Sequence, residues 1–149
     1  MDNQFHFGRL KENLVRMRRE LPVILANQAQ NFFVSSFTKQ GWDDKGWKEV
    51  KRRIEGTNEW KYPKFKGLTR RTKPILIGTG RLRRAVSNSI RSQTFNSVRL
   101  VVDLPYAAAQ NEGDPENNLP RRHYMGNSPK LVEQQRAKIK TYINKAWQA

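Results

Sequence analysis

The sequence predicts an α+β fold: N-terminal helices and a C-terminal helix packed on a small, mainly antiparallel β-sheet, with a long basic loop between them. Three observations carry this expectation. Apolar residues recur at three- and four-residue spacing over residues 1–40 and again over 128–149. Residues 93–104 alternate instead, as a half-buried strand does. Residues 41–74 keep neither period, and no strand–helix repeat runs along the chain. The 149 residues suit one domain.

The first helix rests on Leu10, Leu14, Met17 and Leu21, with Lys11, Glu12, Arg16, Arg18 and Arg19 between them. Pro22 is expected to kink or restart it, because an interior proline loses a backbone donor and costs about 3 kcal/mol. A second apolar stripe, Leu25, Ala29, Phe32, Phe33 and Phe37, ends near Gln40-Gly41, where glycine supplies a stop. In 41–74, Trp42, Trp47, Trp60, Tyr62 and Phe65 stand among basic residues, glycines and prolines. The tryptophans are expected to pin this loop to the core; the competing reading is base stacking between cations.

Residues 75–127 predict a short helix and strands. Ile75, Leu76 and Ile77 lead to Gly78-Thr79-Gly80, with Thr79 as the N-cap of a helix through Leu82, Ala85, Val86, Ser89 and Ile90. The glycine pair lacks the Gly-Lys-Ser/Thr ending of a phosphate-binding loop, so it reads as a tight turn. Phe95, then Val98, Leu100 and Val102, face one side of the strand, with Asn96-Ser97 as a turn or bulge before the longer run. A helical turn over Ala107–Gln110 ends at Gly113, 111–120 is a polar loop, and Arg121–Met125 supplies a further short strand. Ser128 is the expected N-cap and Pro129 the first residue of the final helix, striped by Leu131, Val132, Gln135, Ile139, Tyr142, Ile143 and Ala146.

Charge is concentrated. The chain holds 29 Lys and Arg against 13 Asp and Glu, a net charge of +16. Residues 45–91 contribute fifteen bases and three acids, so under a third of the chain carries +12 of that excess. The candidate docking set within and beside this loop is Lys48, Lys51, Arg52, Arg53, Lys64, Lys66, Arg70, Arg71, Lys73, Arg81, Arg83 and Arg84. Such clustering draws in phosphates or acidic protein surfaces; the bland alternative is a solvated loop. Zinc-finger, RNA-recognition and zipper spacings are missing.

The remaining chemistry is sparse. With no cysteine, disulfides, thiolate metal sites and Cys nucleophiles are excluded. No uncharged run approaches the roughly 18 residues of a membrane span, and the N-terminus lacks a signal-peptide layout. His6 and His123 do not have metal-pair spacing. Asp43 and Asp44 belong to a turn, and Glu112, Asp114 and Glu116 to a polar loop. The serines lack a nucleophile-elbow context. The chain therefore reads as non-enzymatic and without a cofactor.

In order along the chain, these short elements resemble the phage virion morphogenesis, or tail-completion, family. The Phe-containing helix end is followed by Trp42; an I-L-x-x-T-G-x-L stretch is formed by Ile75, Leu76, Thr79, Gly80 and Leu82. A Y-A-x-x-(H/Q)-x-x-G element contains Tyr106, Ala107, Gln110 and Gly113, and a P-x-R-x-(aromatic)-x-G element contains Pro120, Arg122, Tyr124 and Gly126. The order covers residues 25–147. Arg121, His123 and Met125 depart from the small residue, proline and apolar residue of the family pattern.

The resemblance implies a structural virion protein, made in the host bacterial cytoplasm. It implies a homo-oligomeric ring, commonly a hexamer, at the head-proximal tail end or in the neck, joining tail to head. Its implied partners are further copies of itself, neck or connector proteins and tail-tube proteins, with non-specific contact to DNA in the lumen and no membrane. Subunit contacts are expected around residues 25–37 and 93–104. The basic segment is expected to dock on protein, led by Arg81, Arg83 and Arg84. The competing class is a free-standing nucleic-acid-binding protein with steeply salt-dependent affinity.

Overall fold

The computed structural model describes residues 7–62 and 69–148, with the backbone alone at 69 and 70. The α+β expectation holds: helices are accompanied by two small antiparallel sheets. The described residues fall into two compact units, one of Met1–Asn31, Ile90–Val101 and Asn127–Ala149, the other of Phe32–Ser89 and Val102–Gly126. No helix among the described residues is long and apolar enough to cross a membrane.

Helix α1 spans Phe7–Lys39 without a break, so Pro22 neither ends nor restarts it. Burial explains the tolerance: Leu21, Pro22 and Ala26 are all buried on one face, and their transfer from water offsets the lost backbone bond. In the first unit, the C-terminal helix α6 covers Pro129–Trp147. It is capped as its sequence predicts, with the Ser128 hydroxyl accepting from the Leu131 amide and Pro129 in the first turn. Leu131 and Ala146 are buried, whereas Ile143 faces solvent and drops out of the predicted stripe. Asn13 donates to the Ala146 carbonyl and Gln135 to that of Leu25.

The predicted strand becomes a hairpin of this unit, β3 (Ile90–Gln93) and β4 (Val98–Leu100), with Gln93 opposite Val98 and a bulge between Ile90 and Ser92. The turn predicted at Asn96-Ser97 is present, closed by Thr94 N–H to the Ser97 carbonyl at 2.8 Å. Pairing stops at Leu100, short of residue 104. Arg18 on α1 lies over the Phe95 ring at 5.2 Å.

Over the described part of 41–74, the second unit replaces the expected structureless loop with a series of short elements. Strands β1 (Gly41–Trp42) and β2 (Lys45–Gly46) pair through a turn in which Asp43 and Asp44 both have positive φ, the geometry of a tight two-residue hairpin. After a single 3-10 turn at Lys51–Arg53 come α2 (Asn58–Lys61), capped by Thr57, and α3 (Thr69–Thr72). Elements this short cannot display a period, which is why none is visible in the sequence. The left-handed stop after α1 is Gln40, one residue before the expected glycine.

Helix α4 covers Arg81–Ser87, and α5 covers Ala107–Glu112. The cap of α4 is Gly80, with the Thr79 hydroxyl accepting weakly from the Arg81 amide, so the predicted cap moves by one residue. Ser89 and Ile90 leave the helix, which ends at Asn88. The strand expected at Arg121–Met125 is absent. Its backbone is bonded by side chains instead: the Asn111 amide accepts from the Tyr124 and Met125 N–H groups and donates to the Met125 carbonyl.

The second unit has an aromatic core. Trp42 stacks on Phe33 at 5.9 Å and meets Phe32 edge-on at 5.5 Å. Phe37, 1% exposed, lies against Trp47 and Tyr124 at 5.8 and 5.4 Å. The tryptophans of the hairpin segment thus anchor it, as the packing alternative held. Phe33 and Phe37 are spent in this core rather than left for a neighbouring subunit.

Candidate functional site

The motif residues of the second unit serve mainly as architecture. Gly113 ends α5 with φ +83°. The main chain then returns so that the Arg122 amide donates to the Gln110 carbonyl at 3.1 Å. Tyr124, 2% exposed, donates its hydroxyl to the Ala107 carbonyl at 2.9 Å. Gly126 abuts the His123 ring, and His123 in turn meets Trp42 edge-on at 4.6 Å. The Trp47 indole N–H donates to the His123 carbonyl at 2.7 Å. The Y-A-x-x-Q-x-x-G and P-x-R-x-Y-x-G elements therefore bond directly to each other.

Burial first, and then the charges of Tyr106 and Glu112, push the Tyr124 hydroxyl up from 10 to about 12. The unfolded chain releases this proton first, so the folded state loses stability as pH rises from 10 towards 12. A urea titration across that range will show a falling midpoint in the wild type and a flatter profile in Tyr124→Phe.

Beside this knot lies a cleft of about 590 Å³. Among the described residues its cations are Arg52, Arg71, Lys73, Arg81 and Arg122, and its lining carboxylate is Glu59. Apolar wall is supplied by Ile75, Leu76, Leu82 and the ring of Tyr106. Backbone carbonyls anchor most of the charges. Arg52 donates to the carbonyls of Lys73 and Pro74, Lys73 to that of Gly78, and Arg71 to that of Trp60, over whose ring it lies at 4.5 Å.

Arg122 is the unusual member. It is 6% exposed, and its Nε and Nη2 both donate to the Lys48 carbonyl at 3.3 Å. Among the described residues no carboxylate forms an ion pair with it. Burial, then the nearby Arg52 charge, lower its pKa, with Glu49 opposing. A buried guanidinium without a carboxylate is costly, and an arriving anion would relieve that cost. Gln110, another lining residue, adds a second unmet group: its Oε1 is shielded from water and has no hydrogen-bond partner. Leu76, also on the wall, has φ +59°, a left-handed conformation uncommon for a leucine.

Of the predicted docking residues, Arg52, Arg71, Lys73 and Arg81 meet in this cleft. Arg53 is bound to Glu49 at 3.1 Å and Lys51 to Glu59 at 3.8 Å, so part of the segment is internally paired. The Val50 amide holds the Glu49 carboxyl below its ordinary pKa; partial burial opposes this, and Arg53 and Arg52 reinforce it. Lys48, Arg83 and Arg84 are exposed and do not line the cleft. Lys64 and Lys66 lie outside the described residues, as does the Arg70 side chain.

Sequence reading assigns Arg122 to a motif rather than to the charge cluster, and misses Gln110 and Tyr106 as lining residues. The one available signal for Arg122 is its place beside Arg121 in the P-x-R-x-(aromatic)-x-G element. The cleft has the chemistry of an oxyanion receptor: guanidinium forks, an ammonium and apolar walls. The chain matches no protein-family model, no curated protein and no solved structure.

Proposed function

We propose that this chain is a structural bacteriophage virion protein. It assembles as a ring at the head-proximal end of the tail or in the neck, completing the tail and joining it to the head. The main support is the direct bonding of the two motif elements, Ala107 to Tyr124 and Gln110 to Arg122, which gives the ordered resemblance a shared structural unit. Exposed apolar side chains add to it. Val15 and Val23 of α1 are 62% and 43% exposed, and Trp147 of α6 also faces solvent, surface that neighbouring subunits would cover.

In this reading the protein performs no catalysis and the basic cleft takes an acidic protein surface. A cleft suits docking better than a DNA conduit, where cations spread thinly over a smooth wall would let the duplex slide. The test is the mass and shape of the purified protein, by light scattering and negative-stain microscopy with added tail tubes. Rings, or caps on tube ends, are expected. A persistent monomer that ignores tubes and binds DNA in low salt would replace this reading with a nucleic-acid-binding protein.

A further inference from the structure

The longest stretch of this chain without a basic residue is Leu100–Pro120, and it holds Asp103, Glu112, Asp114 and Glu116. Within it a rigid turn stands out from the second unit. The Asp114 and Leu119 backbones bond reciprocally at 2.9 and 2.8 Å, and the Asp114 carboxylate accepts from the backbone and side-chain amides of Asn117. Those two bonds hold the Asp114 carboxyl below its ordinary pKa, so it stays charged. Pro115, Glu116, Asn117 and Asn118 are exposed at the tip. The turn springs from the cleft wall, since Gln110 and Arg122 line the cleft, yet no residue of 111–121 enters it.

We infer that the acidic turn around Glu116 of one copy docks into the basic cleft of the next copy. The two surfaces are complementary in charge. A carboxylate at the tip meets the Arg52, Arg81 and Arg122 guanidiniums that line the cleft. The turn is stapled before docking, so little conformational freedom is lost on insertion. Turn and cleft are different patches of one surface, so the contact is head-to-tail and leaves a free turn and a free cleft for further copies, the requirement for a ring. This inference rests on the self-assembling reading above.

The test is a charge exchange read by light scattering and sedimentation at low ionic strength. Arg81→Glu and Glu116→Lys lie at exposed positions, and circular dichroism melts establish that each variant folds. Each alone is expected to weaken self-association about tenfold or more, and the double variant to recover most of the loss. A synthetic peptide of residues 111–120 should disperse the wild-type assembly, and the same peptide carrying Glu116→Lys should not. Assembly that is unmoved by both single variants and by the peptide overturns the inference and leaves the ring reading standing. A cleft that retains DNA while ignoring the peptide also overturns it. A wild-type chain that never assembles, with or without tail tubes, removes the ring reading itself.

Discussion

Phe37→Ala will cost about 3–5 kcal/mol of folding stability, a large share of the roughly 5–15 kcal/mol that a domain has. The ring is 1% exposed and is enclosed by Trp47 and Tyr124. Removing it strands two further aromatic faces, because the hydrogen bonds of both neighbours fix them in place: Trp47 to the His123 carbonyl and Tyr124 to that of Ala107. Neither can swing inward without giving up its bond, so the cavity will collapse only partly. Phe37→Leu keeps much of the volume and should cost about 1 kcal/mol. Equilibrium urea unfolding followed by tryptophan fluorescence measures both. A loss below about 1 kcal/mol for the alanine variant would mean that this cluster is not the centre of the unit.

Gly113→Ala will be the second severe change, at about 3 kcal/mol, because it combines two penalties. The residue has φ +83°, where an L side chain is disfavoured. A β-carbon there would also lie 2.9 Å from the Arg121 nitrogen and 3.2 Å from the Leu119 oxygen, both backbone atoms. Backbone cannot rotate aside as a side chain can, so the return from α5 to Arg122 must shift. Gly56→Ala is the control, since Gly56 has φ +86° with open space around it and should cost about 1–2 kcal/mol, the conformational penalty alone. Comparing urea midpoints separates crowding from conformation, and equal losses would refute the crowding argument. The wrongly placed Arg122 should also weaken self-association in the surviving folded fraction.

Where long-range burial agrees with local pattern, the sequence is legible. Leu10, Leu14, Met17 and Leu21 repeat every three or four residues and lie on one helix; Ser128 and Pro129 begin another because their chemistry satisfies its first turn. Pro22 misleads, since its local cost is visible and the burial that offsets it is tertiary. Arg121–Met125 misleads in the opposite direction. The segment is extended, but its partner is the Asn111 amide rather than a strand, and a single side chain leaves no periodic trace. Gln40 does the same service for Ile75, accepting from its N–H and donating to its carbonyl across 35 positions of sequence.

The cleft was half legible. Clustered cations in 45–91 announce a charged surface, and four of them do converge. Three of them, Arg52, Arg71 and Lys73, are set there by carbonyls in the short turns, namely those of Trp60, Lys73, Pro74 and Gly78. Those turns have no sequence signal. Arg122 was hidden for a different reason: its charge is separated by 31 residues from the nearest end of the cluster, at Arg91, and only the return from Gly113 brings it in.

The anchoring of these cations on peptide carbonyls fixes how the cleft responds to its surroundings. Carbonyl oxygens do not titrate, and arginine keeps its proton throughout the biological range. A salt-bridged surface would be unmasked by acid as its carboxylates neutralise, whereas this one has little to unmask. Its attraction for anions is accordingly a constant of the fold between mildly acidic and mildly alkaline conditions. The variable that governs it is the concentration of competing ions, through screening over about 10 Å at 0.1 M salt.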